Sequence, residues 1–439
     1  MMIFTLLVLL FALMLVGVPV SVALGASTII TALMFTDLDA MGLTMHVFDG
    51  LNTYTLMAIP MFILAGSFLS KGSAAHRIVN FAKAIVGHLP GGLPISAIFA
   101  CMVFAAVSGS SPATVVAIGS VMYGAIKEAG YPAKYAIGTI ATSGSLGILI
   151  PPSVVFIVYG VTAEQSIGDL FIAGIIPGIM LGCMLMAVAF FGAKKLGFKG
   201  TKPLSFKERL KAFKDAFWAL LIIVIVIGGI YGGIFTPTEA GAVCAVYAFI
   251  VSFFIYKDIK LKDVYNIVLD SAMTTSMIFF IIANAMIFAH FLTDQTIPHQ
   301  ITQMILDASV GPITFLIIIN ILLLIMGQFM EPSSVVMITT PLLLPIAVAL
   351  GIHPVHLGVI MIVNMEIGML TPPVGLNLFV ASAITGLSLK DVVVASLPWV
   401  ATIFIGLIFI TYIPSISLWL PYEFPQHLEA FKQFIGGLF

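Results

Sequence analysis

Two ten-residue stretches of this chain resemble each other, and each would interrupt a helix placed in a membrane. The first reads SGSLGILIPP over residues 143–152, and the second reads NMEIGMLTPP over residues 364–373. The interval from Gly147 to Gly368 equals the interval from Pro151 to Pro372, so the two stretches repeat in register. Paired glycine and proline interruptions in two halves of a chain are typical of the binding site of a secondary transporter.

The composition is that of a membrane protein. The chain is 61% hydrophobic and 8% charged, whereas soluble domains are about 25% charged. Because long apolar runs recur from end to end, we predict an all-α polytopic membrane protein in contact with the lipid bilayer. The net charge of −1 argues against a nucleic-acid partner. The first apolar run, residues 3–16, lacks a basic flank and a small-residue cleavage site, so we interpret it as a retained membrane segment.

The basic residues are unevenly placed and orient the chain in the membrane. Eight of the 18 lysines and arginines fall between residues 194 and 214. Because loops rich in lysine and arginine stay in the cytoplasm, we place this segment inside. The same rule places inside the basic loops at 71–83, 127–134 and 257–262. Loops without lysine or arginine are expected outside, at 37–50, 162–169, 294–311 and 351–356.

The first half, residues 1–192, is predicted to contain five spans and one re-entrant hairpin. The apolar stretch 94–126 lies between two basic loops, so it must enter and leave on the same side, turning at residues 108–112 (SGSSP). The broken helix 135–160 carries the interruption at Gly147. The other spans are expected near 2–17, 19–36, 53–70 and 170–192. A single tilted helix over 2–36 is the alternative to the first two spans.

The second half, residues 216–413, repeats this pattern. A hairpin over 312–348 turns near Glu331 and Pro332, and a broken helix covers 357–384. The other spans are expected near 216–234, 239–256, 264–292 and 391–413. Five spans is an odd number, so the second copy would be inverted relative to the first, as in many secondary transporters. We therefore predict two inverted repeats.

Two segments lie outside the predicted repeats. Residues 193–215 form a basic cytoplasmic linker, in which residues 205–217 have the pattern of an amphipathic helix on an anionic membrane surface. An ordinary basic loop is the alternative. Residues 414–439 are expected to form a periplasmic C-terminal tail.

The four interruptions, two hairpin tips and two broken helices, are candidate binding elements. Non-helical backbone at membrane depth persists only where it is buried in protein or lines a cavity. Helix N-terminal amides favour anions, and C-terminal carbonyls favour cations. Carbonyl and hydroxyl oxygens would suit a hard monovalent ion such as Na⁺. The hydroxyl candidates are Ser108, Ser110, Ser111, Ser145, Ser153 and Thr371. The alternative is that each interruption is only a kink.

Other polar residues near the interruptions have two interpretations. Glu331 and Glu366 lie beside the second pair, where an ionised group is a functional candidate; each could equally hold loop amides in place. Asn364 and Asn377 are candidate polar contacts for a substrate. No basic residue lies near an interruption in the sequence, so an anionic substrate would be held by helix-end amides and by Ser, Thr and Asn side chains.

Several other functions are disfavoured. The chain has no Walker motif, no HExxH and no nucleophile elbow, so neither ATP hydrolysis nor another enzyme activity is expected. No organic cofactor is expected. A channel would usually repeat a pore element in parallel about an axis. A proton-coupled transporter or antiporter stays open, with Glu331 and Glu366 as its only plausible relay.

Four long motifs resemble the large membrane subunit of tripartite ATP-independent periplasmic (TRAP) transporters over nearly the whole chain. They are SGSSPAT at 108–114, GILIPPS at 147–153, FTPTEAGA at 235–242, and NMEIG with PPVGLN at 364–377. The segments IIANAM at 281–286 and MEPS at 330–333 are closest to the C4-dicarboxylate branch. Sialic-acid members share much of this pattern.

The resemblance implies an importer of organic acids in the bacterial inner membrane. Such subunits use a Na⁺ gradient and an elevator-type ion-transporter fold, and they work with a small four-helix membrane subunit and a soluble periplasmic binding protein. We expect the small subunit as a separate chain. Two or more Na⁺ ions would lie at Ser108 and Ser110 with Gly144, Ile148 and Pro151, and at Gly327, Glu331, Gly368 and Thr371. Substrate would lie between the hairpin tips, near Ser108, Ser111, Ser145, Pro332, Ser333, Asn364 and Asn377.

Overall fold

The computed structural model describes residues 2–36, 45, 47–48, 50–200 and 202–425, and helices dominate these ranges. Within them, seven helices are long and apolar enough to cross a membrane. These are Tyr54–Lys71, Ile167–Lys195, Phe206–Tyr231, Pro237–Ile255, Leu261–Asp294, Pro332–Ala349 and Leu389–Tyr412. Most of the predicted outer loop 37–50 and residues 426–439 of the predicted tail lie outside the described residues.

The first half is built from helices joined by short turns. They are α1 (Met2–Leu15), α2 (Val20–Phe35), α3 (Ala58–Lys71), α4 (Ala74–Val86), α5 (Gly92–Ser108), α6 (Ser111–Glu128), α7 (Ala133–Ser145), α8 (Val154–Thr162) and α9 (Ile167–Lys195). A left-handed Gly17 (φ 90°) follows α1, and α1 packs along α2. Residues 2–36 therefore form two helices, and the single tilted helix is excluded.

The second half begins with a helix that is longer than predicted. This helix, α10 (Phe206–Ile223), continues through a π-helical segment as far as Tyr231. Ser205 and Glu208 form a capping box at its start, in which each side chain pairs with the other's backbone N–H. The predicted amphipathic segment and the first span of the second half are thus one helix, because apolar residues after Phe217 continue the same register. The predicted boundary between residues 215 and 216 falls inside it.

The rest of the second half parallels the first. Its helices are α11 (Pro237–Ile250), α12 (Leu261–Asp294), α13 (Ile297–Asp307), α14 (Pro312–Gly327), α15 (Pro332–Ala349), α16 (Pro354–Gly368), α17 (Leu376–Thr385) and α18 (Leu389–Tyr412). The helix starts repeat at a constant interval. The interval from Ser111, where α6 begins, to Pro332, where α15 begins, equals the interval from the start of α7 to the start of α16. This interval is also that between Gly147 and Gly368, so the helix starts match the sequence repeat. The inverted orientation of the two halves stays a prediction.

Helices lie within the predicted outer loop 294–311 and at the start of the predicted C-terminal tail. The predicted outer loop 294–311 contains α13, whose Ile297, Pro298 and Thr302 are buried against the protein. After α18, a short helix at Ser415–Leu418 continues as a π-helical turn through Glu423 and packs on α9. The start of the predicted tail is therefore part of the folded structure.

The helices pack in two groups. In one, α1 packs along α2, α2 along α12, and α3 along α11 and α12. In the other, each hairpin packs on a broken helix: α6 lies against α7, and α14 against α16. The halves interlock within this second group, because α6 also packs on α17 and α15 on α8. The groups meet where α3 contacts α5 and α12 contacts α15, and the candidate site lies there.

Candidate substrate and ion site

The tip of the first hairpin is a tight turn lined with hydroxyl groups. Gly109 adopts a left-handed conformation (φ 60°) and ends α5, and Ser110 is extended before α6 begins. The Ser108 hydroxyl lies 2.8 Å from the Thr114 hydroxyl and 3.3 Å from the Ser110 carbonyl oxygen. Ser110 makes no side-chain cap on α6. The amides of Ser111 and Ala113 in the first turn of α6 are therefore available to a ligand, whereas Pro112 has no N–H to offer.

The first broken helix meets this tip at its interruption. Helix α7 ends at Ser145, a single 3-10 turn follows, and α8 begins at Val154 after the Pro151–Pro152 turn. A Cβ added to Gly147 would lie 2.7 Å from the Ser110 carbonyl oxygen, so only glycine allows this approach. The Ser111 hydroxyl donates to the Gly144 carbonyl at 3.1 Å. Carbonyl and hydroxyl oxygens of the two elements thus gather within a few residues.

The tip of the second hairpin is capped by a carboxylate. Glu331 precedes α15, and its side chain accepts hydrogen bonds from the Ser334 amide (3.1 Å) and the Ser333 hydroxyl (2.9 Å). A carboxylate at a helix N-terminus also interacts favourably with the helix dipole. Of the two interpretations of Glu331, holding loop amides in place is therefore realised in the structure, although Glu331 also lines the cavity described below.

The second broken helix meets the second hairpin just as closely. Helix α16 ends at Gly368 and α17 begins at Leu376. A Cβ added to Gly368 would lie 2.6 Å from the carbonyl carbon of Gly327, at the end of α14. The Val374 amide donates to the Gln328 carbonyl at 3.2 Å, which fastens the interruption to the hairpin tip. The Thr371 hydroxyl donates back to the Ile367 carbonyl at 2.7 Å.

A hydrogen bond joins the two halves between these elements. The Asn377 side-chain amide, in the first turn of α17, donates to the Ser111 hydroxyl at 2.6 Å. Asn377 is fully buried, and its side-chain oxygen has no hydrogen-bond partner. A buried polar atom without a partner is unusual in a native structure and calls for an explanation, such as an ion or a water molecule.

A cavity of about 370 Å³ opens between the hairpin tips and the opposite helix group. Seven of the predicted site residues line it: Ser108, Ser110, Ser111, Ile148, Glu331, Pro332 and Ser333. The opposite wall consists of α3 and α12, with hydroxyls at Ser67, Ser70 and Thr274. A volume of this size is within the range of small-molecule sites.

The opposite wall also carries charge that sequence reasoning missed. Lys71 of α3 and Asp270 of α12 line the same cavity as the hairpin tips. The expectation that no basic residue lies near the interruptions is therefore wrong in three dimensions. Proximity in sequence could not reveal it, because α3 packs beside the first hairpin from a different part of the chain.

The other predicted residues lie behind the cavity wall. Gly144, Gly327 and Gly368 lie at the C-terminal ends of α7, α14 and α16, and Pro151 and Thr371 lie in the turns of the two interruptions. None of the five lines the cavity. Ser145 is buried, and its hydroxyl donates to the Thr142 carbonyl at 2.8 Å. Ser153 is buried directly before α8, and its hydroxyl has no partner.

Asn364 and Glu366 lie on α16 and are enclosed by protein. The Asn364 amide donates to the Asn320 side-chain oxygen (2.6 Å) and to the Ile360 carbonyl (2.8 Å), so Asn364 braces α14 against α16. It does not line the cavity. Glu366 is completely buried, and neither carboxylate oxygen has a hydrogen-bond partner. A buried ionised carboxylate without a partner would be very costly.

Comparison with known proteins places the chain in a transporter family. A family profile described as "Tripartite ATP-independent periplasmic transporter, DctM component" matches residues 7–416. The C4-dicarboxylate TRAP transporter large permease protein of Vibrio cholerae is 48% identical over 435 residues, covering 94% of this chain and 96% of the relative. The sialic acid large permease protein of the same species is 36% identical over 409 residues, covering 92% and 95%.

A solved structure shares the fold. The YdaH transporter of Alcanivorax borkumensis superposes with a TM-score of 0.64, covering 97% of this chain and 98% of that one at 14% identity. At this identity the likeness concerns the arrangement of helices alone.

Proposed function

Because the chain belongs to the DctM family of tripartite ATP-independent periplasmic transporters, we propose that it imports a C4-dicarboxylate across the bacterial inner membrane, driven by Na⁺. The observation that carries this proposal is the cavity between two hairpin tips that each begin a helix. Helix N-termini favour anions, and the N-terminus of α6, which no side chain caps, suits a carboxylate of the substrate, whereas Glu331 already caps α15.

The substrate class has two candidates. The chain is more similar to the C4-dicarboxylate permease of Vibrio cholerae (48% identity) than to the sialic acid permease of that species (36%). In this proposal one carboxylate of the substrate lies at α6, near Ser108 and Ser111, and the other end of the substrate reaches the second tip near Pro332 and Ser333. Sialic acid, with a single carboxylate, is the alternative substrate.

The coupling ions would be held behind the hairpin tips. Carbonyl and hydroxyl oxygens around Ser108, Ser110, Gly144, Ile148 and Pro151 fit one Na⁺, since hard cations prefer oxygen ligands. The second site would use oxygens around Gly327, Glu331, Gly368 and Thr371. The close packing of Gly147 and Gly368 on the hairpin turns supports both sites, because it brings helix-end carbonyls to the tips.

Transport is proposed to follow an elevator mechanism between inverted repeats. The group containing both hairpins and both broken helices would move as a unit against the group containing α3, α11 and α12. The interlocking of α6 with α17 and of α8 with α15 supports movement as one body. A separate small four-helix membrane subunit would complete the membrane complex, and a soluble periplasmic binding protein would deliver the substrate.

A proton-coupled importer or antiporter is the second candidate. The observation that favours it is Glu366, a fully buried carboxyl group without a hydrogen-bond partner. Such a group inside a membrane protein is a candidate for carrying a proton. Under this alternative a pH gradient, and not a Na⁺ gradient, would drive uptake.

Uptake by proteoliposomes tests the proposal. The chain would be reconstituted with its small subunit and its binding protein and offered labelled succinate or labelled sialic acid, with an inward Na⁺ gradient, an inward proton gradient, or neither. We expect succinate uptake that requires both Na⁺ and the binding protein. Sialic acid uptake alone would reassign the substrate. Proton-driven uptake without Na⁺ would favour the second candidate, and equal flux without any gradient would contradict active transport.

A further inference from the structure

An exposed ion pair lines the cavity on the wall opposite the hairpin tips, so we infer that the cavity is open beside it. Lys71 Nζ lies 3.9 Å from Asp270 Oδ2, and both side chains are 61% exposed. Both residues line the cavity, and Lys71 is the only basic residue among the described residues that do so. An anion that leaves the hairpin tips through this opening therefore passes a lysine that is already paired with a carboxylate.

The position of Lys71 is fixed by the chain that follows it. Lys71 is the last residue of α3, and the next turn is attached to the segment before α12 through Asp258. The Asp258 carboxylate accepts hydrogen bonds from the Ser73 amide (2.8 Å) and the Ser73 hydroxyl. Arg77 Nε donates to the Ser73 hydroxyl at 2.8 Å, and its guanidinium lies 4.1 Å from the centre of the Tyr256 ring. These contacts keep the end of α3 beside α12.

The predicted topology places this opening on the cytoplasmic side of the membrane. Lys71 ends α3 at the start of the basic segment 71–83, which the distribution of basic residues places in the cytoplasm together with the basic segment 257–262 just before α12. The opening beside Lys71 and Asp270 would therefore be the exit through which an imported substrate is released.

Resting on the proposed function, we propose that Lys71 and Asp270 form the release gate for the organic acid. The carboxylate of the departing substrate first replaces Asp270 as the partner of Lys71. Asp270 then pairs with Lys71 again and displaces the substrate. An unpaired lysine in the exit would hold a dianion and delay its release. Lysine paired with a competing carboxylate attracts the anion without retaining it.

The gate predicts opposite effects for its two members. In Asp270→Asn, no carboxylate competes with the substrate for Lys71, so substrate release slows. We expect the maximal rate of uptake to fall about tenfold, and substrate inside the liposome to inhibit uptake at about tenfold lower concentration. In Lys71→Gln, Asp270 repels the anion, so internal substrate inhibits at higher concentration than in the wild type. The double variant removes both charges and returns the maximal rate to within about threefold of wild type.

A matched ion pair elsewhere provides the control. Lys134 and Asp391 are also exposed and paired, at 3.2 Å, but neither lines the cavity. Because exposed pairs contribute little to stability, the single and double variants of both pairs should insert and fold. We expect Lys134→Gln, Asp391→Asn and their double variant to match wild type in both the maximal rate and the inhibition by internal substrate.

The experiment measures Na⁺-driven succinate uptake into proteoliposomes preloaded with increasing succinate, with the full complex. Opposite shifts in inhibition for the two single variants, with recovery in the double variant, would support the gate. Wild-type behaviour of Asp270→Asn and Lys71→Gln, or equal losses in the Lys134 and Asp391 variants, would overturn it while leaving the proposed function intact. A wild-type complex that does not take up the acid would overturn the proposed function, and the gate with it.

Discussion

The Asn377 side chain donates a 2.6 Å hydrogen bond to the Ser111 hydroxyl, although 266 residues separate them in the chain. The same hydroxyl donates to the Gly144 carbonyl at 3.1 Å. One serine therefore joins a hairpin tip and a broken helix of the first half to a broken helix of the second. This bond ties the two halves together directly beside the cavity.

Loss of this link should weaken substrate binding. Ser111→Ala leaves the Asn377 amide buried without an acceptor, which costs about 1–3 kcal/mol. We expect the KM for succinate to rise about tenfold and the midpoint of thermal unfolding to fall. Asn377→Ala should act in the same direction. Uptake kinetics and thermal unfolding of the purified complex measure both effects.

Ser120→Ala is the control for this experiment. Ser120 lies on the same helix, is exposed, and bonds only to the local Ala117 carbonyl at 3.1 Å. An unchanged KM in Ser111→Ala and Asn377→Ala would contradict a role for this hydrogen bond in binding.

Methyl groups at the two glycine contacts should abolish coupling. Gly147→Ala would press against the Ser110 carbonyl, and Gly368→Ala against Gly327. Overpacking of this kind costs about 1–3 kcal/mol, and here it would displace the hairpin tips. We expect Na⁺-dependent uptake to fall below about a tenth of wild type in each variant, with normal insertion into the membrane.

Gly124→Ala serves as the comparison, because a Cβ at this position of α6 meets nothing within 4 Å. It should transport as wild type does. Full Na⁺-dependent uptake in Gly147→Ala would show that transport does not require the close contact between the first hairpin tip and the first broken helix. It would contradict the proposed Na⁺ site in the first half.

The two carboxylates beside the second pair of interruptions should respond differently to neutralisation. Glu331→Gln weakens the cap on α15, because a neutral amide oxygen is a weaker acceptor than a carboxylate and interacts less with the helix dipole. We expect the Na⁺ concentration for half-maximal uptake to rise about tenfold. Glu366→Gln keeps the shape of the side chain and should retain Na⁺-driven uptake.

Comparison of Glu331→Gln with Glu366→Gln distinguishes Na⁺ coupling from proton coupling. If Glu366 carried a proton, Glu366→Gln would abolish the uptake that a pH gradient drives in the wild type. Na⁺ titrations of uptake at fixed pH, and pH-gradient experiments without Na⁺, are the measurements. A loss of Na⁺-driven uptake in Glu366→Gln would make this residue part of the coupling machinery.

Asn364 should matter for stability more than for substrate recognition. Its amide bonds to Asn320 at 2.6 Å and it lies outside the cavity. Asn364→Ala leaves the Asn320 oxygen without this donor, so we expect a loss of about 1–3 kcal/mol in stability. The KM for succinate should stay within about threefold of wild type.

Thermal unfolding and uptake kinetics of Asn364→Ala, compared with Ser333→Ala at the cavity wall, check this expectation. Ser333→Ala should raise the KM for succinate by more than Asn364→Ala does, although it also removes a hydrogen bond to Glu331. A KM effect in Asn364→Ala larger than that in Ser333→Ala would restore Asn364 as a substrate contact.

The interruptions could be predicted from the sequence because glycine and proline have strong backbone preferences. Gly147 and Gly368 stand where two segments must touch, and the Pro-Pro turns that follow cannot continue a helix. The hairpin and broken-helix positions therefore followed from local chemistry. The family resemblance added the expected substrate class and partners.

The charged wall of the cavity could not be predicted in the same way. Lys71 and Asp270 belong to opposite halves of the chain, and their pairing depends on how α3 and α12 pack. Helix α13 was also missed from the sequence, because this helix packs against α15, and that tertiary contact is not visible in the local sequence. Asn364 was misplaced because sequence position does not show that α16 is enclosed by protein and lies outside the cavity lining.

The unbroken helix from Phe206 to Tyr231 has a practical consequence for work on divided versions of this protein. Two half-genes separated between residues 215 and 216 would each carry a fragment of one helix, and the cap formed by Ser205 and Glu208 would be cut off from the span that it starts. A cut, a circular permutation or an inserted fluorescent protein should instead be placed before Ser205. The second polypeptide would then begin with its own helix-start signal and keep the whole first span of its half.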